Sequence, residues 1–135
     1  MARQTSPAGL TITVESAAAL TLNRGAAQQT SGLWAHPAAD TRVDGVVVAI
    51  GGETAAPYTA TVQLNGIAQV ESDGSASIDE GDYLAIGATN GQLKTRARAD
   101  GATVRYFLGV ALSPAAATQA LLVDVLIAPF TVGNT

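Results

Sequence analysis

The sequence predicts an all-β protein, built as a small barrel or sandwich. Three observations carry that expectation. From Arg42 onward, short runs rich in Val, Ile, Thr and Leu follow one another. Gly-Gly, Asn-Gly and Asp-Gly pairs punctuate them. No window of a dozen residues has a clean helical stripe outside two Ala-rich stretches near 15–20 and 114–120. Strands with such punctuation close into sandwiches or barrels.

Residues 1–40 differ from residues 41–135. They hold Ala17-Ala18-Ala19 and Ala26-Ala27-Gln28-Gln29-Thr30-Ser31-Gly32, and their only charges are Arg3, Glu15, Arg24 and Asp40. Leu10-Thr11-Ile12-Thr13-Val14 and Leu20-Thr21-Leu22 alternate apolar residues with Thr, the period-two pattern of a half-buried strand. Ala17–Leu20 is too short to hold a helix alone. Leu10, Ile12, Val14, Leu20 and Leu22 are anchors with too few companions for a core. The segment therefore reads as an extended N-terminal arm ordered by a partner, or as a disordered tail. Trp34-Ala35-His36-Pro37 marks where such an arm packs down onto a body of residues 41–135.

In that body, Gly45-Val46-Val47-Val48-Ala49-Ile50 closes on Gly51-Gly52, and Tyr58–Leu64 and Ile67–Val70 flank Asn65-Gly66. That pair is either a tight hairpin or a bulge within one long strand. Asp82–Ile86 leads through Asn90-Gly91 into Leu93–Arg98, and Val104–Ala111 and Leu121–Ile127 complete the set. Asn-Gly favours a two-residue type I′ turn, because both central residues need positive φ. That register pairs Gly87 with Lys94, Ala85 with Arg96 and Tyr83 with Arg98. Opposed residues share a face, so Lys94, Arg96 and Arg98 form a basic stripe, with Leu84, Ile86, Leu93, Thr95 and Ala97 turned to a core. In the last strand Leu122, Asp124 and Leu126 share one face and Leu121, Val123, Val125 and Ile127 the other. One lines the core; the other is free to approach a symmetry axis.

Composition narrows the function. Charged residues are 13% of the 135, about half the roughly 25% of an ordinary soluble domain. So little charge favours burying surface between subunits. A net charge of −4 argues against a nucleic-acid partner, and no run reaches the roughly 18 apolar residues of a membrane span. The first residues lack the basic and apolar pattern of a signal peptide. The absence of cysteine excludes disulfides and thiol chemistry, and the single histidine, His36, excludes a His-rich metal site. Asp79, Glu80 and Asp82, with Glu71 and Asp73, lack the register of a calcium loop and read as solvated turn carboxylates. Ser72, Ser75 and Ser77 have no histidine near them, and Gly51-Gly52-Glu53-Thr54 is not followed by the Lys of a phosphate loop. No catalytic residue, cofactor or metal is expected.

The order of five segments resembles a known family: Asn65-Gly66-Ile67-Ala68-Gln69-Val70, Ile78-Asp79-Glu80-Gly81-Asp82-Tyr83-Leu84, Asn90-Gly91-Gln92-Leu93, Phe107-Leu108-Gly109-Val110-Ala111-Leu112 and Leu122-Val123-Asp124-Val125-Leu126-Ile127. Over residues 43–128 this looks like the small capsid cement, or decoration, proteins of tailed double-stranded-DNA bacteriophages. The resemblance implies a β-barrel or β-tulip-like domain, usually trimeric, on the outer surface of the virion at local three-fold positions. It implies that the Asn65-Gly66 pair lies within a continuing strand. The partners it implies are the major capsid protein and the chain itself, and the role is to clamp the expanded shell. The capsid or subunit contacts then fall to Leu10, Ile12, Val14, Leu20 and Leu22 of the arm and to Lys94, Arg96 and Arg98, if the stripe docks on carboxylates rather than facing solvent. The trimer seam falls to Leu122, Asp124 and Leu126. A carbohydrate-binding or fibre-type β module is the alternative, and it would show more exposed aromatics than 4% provides.

Overall fold

The computed structural model describes residues 9–98 and 103–133. Ten strands form it, and no helix occurs among the described residues. A closed five-stranded barrel takes β1 (Thr11–Ser16), β2 (Gly25–Gln28), β3 (Trp34–Ala35), β4 (Gly45–Ile50) and β5 (Tyr58–Gln63), in the spatial order β1-β3-β2-β4-β5. A second five-stranded sheet takes β6 (Gly66–Glu71), β7 (Tyr83–Ile86), β8 (Leu93–Thr95), β9 (Arg105–Ala111) and β10 (Leu122–Val132), in the order β6-β10-β9-β7-β8.

The expectation of an N-terminal arm is corrected for the described residues. β1 pairs antiparallel with β5 over its whole length, from Thr11↔Gln63 to Ser16↔Tyr58, and parallel with β3 at Ser16↔Trp34. Val14, Leu20, Ala26 and Trp34 are buried with Val47, Ala60 and Val62, and Ile12 packs against them. The companions that Val14 and Leu20 lack within their own stretch come from β4 and β5. Residues 9–40 therefore supply three of the barrel's five strands, and closure leaves the barrel without the exposed edge that an arm would have to cover.

β4 joins the two halves, because alternate side chains of a strand point to opposite faces. Val47 faces the barrel core, while Val46, with Val43 before it, joins Val70, Leu84, Ile86, Leu93, Leu108, Val123, Val125 and Ile127 beneath the second sheet. Each fully buried side chain of this kind is worth about 1.5–3 kcal/mol. The Asn65-Gly66 pair is neither a hairpin nor a bulge inside one strand: it is the corner where the chain leaves the barrel for the second sheet. Gly66 takes φ +81°, and buried Gln63 sends its Nε2 to the carbonyls of Asn65 (2.8 Å) and Ile67 (3.1 Å) across that corner. At Gly109 the backbones of β9 and β10 close so tightly that a Cβ would lie 1.9 Å from the Leu126 carbonyl oxygen.

Candidate interaction surfaces

The outward face of the second sheet carries an apolar row. Register alone builds it: Ile67 lies opposite Leu126, Leu126 opposite Val110, and Val110 opposite Tyr83, a row across β6, β10, β9 and β7. Along β10 the same face carries Leu122, opposite Glu71. Leu122 and Leu126 are 46% and 42% exposed, and Leu112 and Ile67 are 41% and 36% exposed. Val123, Val125 and Ile127 turn the other way, into the core. Asp124, expected on the open seam, is instead sunk to 6% exposure, with Gln69 Nε2 donating to its Oδ1 at 3.4 Å and Ser113 Oγ accepting from its amide at 2.9 Å. Ile67, Val110 and Leu112 were absent from the expected seam, because neither β6 (Gly-Ile-Ala-Gln-Val-Glu) nor β9 (Arg-Tyr-Phe-Leu-Gly-Val-Ala) alternates cleanly enough to place them there.

At one end of this sheet Tyr83, Phe107 and Phe130 pack on one another. Phe107 and Phe130 stack with centroids 4.9 Å apart, and Tyr83 meets them edge-on at 5.8 and 5.5 Å. Half of the chain's six aromatic side chains are thus used in mutual packing rather than laid out as a platform. A cleft of 260 Å³ beside them is lined by Tyr106, Pro129 and Phe130 and by Arg42 and Asp44, which pair with each other at 3.2 Å.

The basic stripe is corrected in register and in partner. Six residues, 87–92, separate the paired strand ends where two were expected: Ile86 pairs with Leu93, Ala85 with Lys94 and Leu84 with Thr95. The slip is two residues, which preserves faces, so Leu84, Ile86 and Leu93 are fully buried as the alternation predicts. Lys94 Nζ and Arg96 Nη1 lie 3.1 and 3.2 Å from Oδ1 of Asp40, a carboxylate of the same chain. β8 ends at Thr95, and Arg98 stands exposed beyond it. Of the five expected apolar contacts, Val14 and Leu20 are buried and Ile12 is half-buried, whereas Leu10 and Leu22 remain exposed at 55% and 39%. The 79–82 turn is held by its own groups, the Asp82 carboxylate accepting from the Asp79 amide at 2.9 Å.

A polar junction that sequence reading missed ties the barrel to the second sheet. Glu71 Oε1 accepts from Arg24 Nε and from Gln92 Nε2, each at 3.0 Å, and Gln119 Nε2 donates to Gln92 Oε1 at 3.0 Å. Arg24 and Glu71 are about four-fifths buried, with side-chain exposures of 20% and 19%. These partners are separated by 21 to 47 positions in sequence, so no local motif reveals them. His36 closes the junction, and burial depresses its pKa below 6.5, with Arg24 adding to the depression and the Gly25 carbonyl opposing it. No protein-family model matches the chain, and no curated protein matches it in sequence.

Proposed function

We propose that this chain is a structural cement protein of a tailed-phage capsid, without catalytic activity or cofactor. It binds the major capsid protein on the outer head surface at three-fold positions as a homotrimer. The observation that carries the proposal is the outward face of the second sheet, where Leu122, Leu126, Leu112 and Ile67 stand 36–46% exposed on a chain with only 13% charged residues. Such a face favours being covered, and a second and third copy of the same chain cover it with closed symmetry. Leu10, Leu22 and Arg98 remain exposed for the shell, in place of the full set that an arm would have offered.

Packed DNA pushes a shell outward, and a clamp across a capsomer junction opposes separation because its own interface must be lost first. Weak contacts suffice when each trimer engages three equivalent sites. The experiment is co-sedimentation with expanded heads assembled from the major capsid protein of the same genome. Saturable binding that raises the temperature of head disruption is expected. Failure to bind expanded heads at micromolar protein rejects the proposal.

A further inference from the structure

The His36 ring is clamped on both nitrogens. Nδ1 lies 2.7 Å from the Gly25 carbonyl oxygen, and Nε2 lies 2.9 Å from the Thr21 amide nitrogen. An amide only donates, so Nε2 presents its lone pair and Nδ1 carries the proton: a neutral ring in one tautomer. The 88–91 loop of the second sheet presses on the same ring. Gly25 donates its amide to the Gly91 carbonyl at 2.8 Å, and a Cβ at Gly91 would lie 2.6 Å from His36 Nδ1.

Among the described residues, the charges on the surrounding elements give an imidazolium no counter-ion of its own. Arg24, on the loop that the ring holds, is tied to Glu71 and to the Asn90 carbonyl. Arg42, lining the cleft beside His36, is paired with Asp44. Asp40 is already shared by Lys94 and Arg96. A proton on Nε2 would point N–H at N–H across the Thr21 contact, with Arg24 close by.

We propose that His36 is an acid-sensitive latch, bridging the Thr21 and Gly25 ends of the 21–25 loop where it meets the 88–91 loop while its ring is neutral, and releasing the Thr21 end when Nε2 is protonated. The inference rests on the ring's contacts and is independent of what the protein binds. The apolar cluster that joins Val43 and Val46 to the second sheet does not titrate, so release is local. His36 is the chain's single histidine, the one side chain whose ordinary pKa falls between pH 5 and 8. Because the folded ring holds its proton less tightly than the unfolded one, the unfolded state binds more protons through this window. The latch is fully closed above pH 6.5 and opens as pH falls through the lowered folded-state value.

The test is NMR of the whole chain from pH 7.5 to 4.5, where every imidazole signal belongs to His36. The expected result is the Nδ1–H tautomer at neutral pH, a midpoint below 6.5, and amide signals of Thr21, Gly25 and Gly91 that move with that midpoint. The exchange protection of the Thr21 amide should fall about fivefold, the factor one ordinary hydrogen bond supplies, while the amides of Val62 and Val125 keep theirs. His36→Gln, neutral throughout, should abolish the titration of those three amides. An Nε2–H tautomer at neutral pH, or a midpoint at 6.5 with Thr21 unmoved, overturns the proposal. So does loss of Val62 and Val125 protection in step with Thr21, which would be general acid unfolding. If His36→Gln does not fold, the tautomer and midpoint of the unaltered chain decide by themselves.

Discussion

Val14→Ala tests whether residues 9–40 belong to the cooperative core. Val14 is 5% exposed and packs with Leu20, Trp34, Val47, Ala60 and Val62. Truncation removes two buried methyl groups at about 0.8 kcal/mol each. The cavity left in that cluster raises the loss to roughly 2–3 kcal/mol. With a urea slope of about 2 kcal/mol per molar, the unfolding midpoint should fall by about 1 M with the slope unchanged. Trp34, the chain's single tryptophan and a member of the same cluster, reports the transition by its fluorescence. Thr13→Ala is the control, since Thr13 lies one position away on the exposed side of β1 and should cost no more than about 0.5 kcal/mol. Equal midpoints for the two variants would refute the reasoning, because a true arm pays nothing for losing Val14.

Three further outcomes follow from the geometry. Gly109→Ala should cost at least about 1–3 kcal/mol, as forced overpacking does, read as a lowered denaturation midpoint, because its Cβ would strike the Leu126 carbonyl. Asp40→Ala should cost about 1–3 kcal/mol, read as a lowered denaturation midpoint, because it leaves Lys94 and the buried Nη1 of Arg96 without the carboxylate they share. Leu122→Glu with Leu126→Glu should leave a folded monomer of 13.6 kDa in sedimentation equilibrium, whereas the unaltered chain should give three times that mass. A monomer from the unaltered chain at micromolar concentration would remove the seam.

Much of the second sheet was legible because its strands alternate. Leu84, Ile86, Val123, Val125 and Ile127 read as inward residues and are inward. The barrel was harder to see. β2 is Gly-Ala-Ala-Gln, without the β-branched or aromatic enrichment that marks a strand, and β3 is only the two residues Trp34–Ala35. Leu20-Thr21-Leu22 alternates like a strand, yet it forms a turn whose Leu20 is buried and whose Thr21 amide is taken by His36. β10 runs on to Val132 through Pro129, a residue that would end a regular ladder, because a register shift between Ile127 and Phe130 accommodates it. The Asn90-Gly91 loop widened because its flanks have other bonds to make. Gly87 donates to the Gln92 carbonyl at 2.6 Å, Gln92 itself reaches Glu71, and the Asp73 carboxylate accepts from Ala88. The outward leucines of β10 were legible from period two alone, whereas Asp40 as the partner of Lys94 and Arg96 lies 54 positions from Lys94, and only the fold brings it there.

The most direct measurement is an electron cryomicroscopy reconstruction of expanded heads incubated with the purified chain. The account predicts three copies of a ten-stranded body at each local three-fold position on the outer surface. The β10 faces bearing Leu122 and Leu126 should meet at the axis. Bare three-fold positions, or single copies bound with those faces open to solvent, would contradict it.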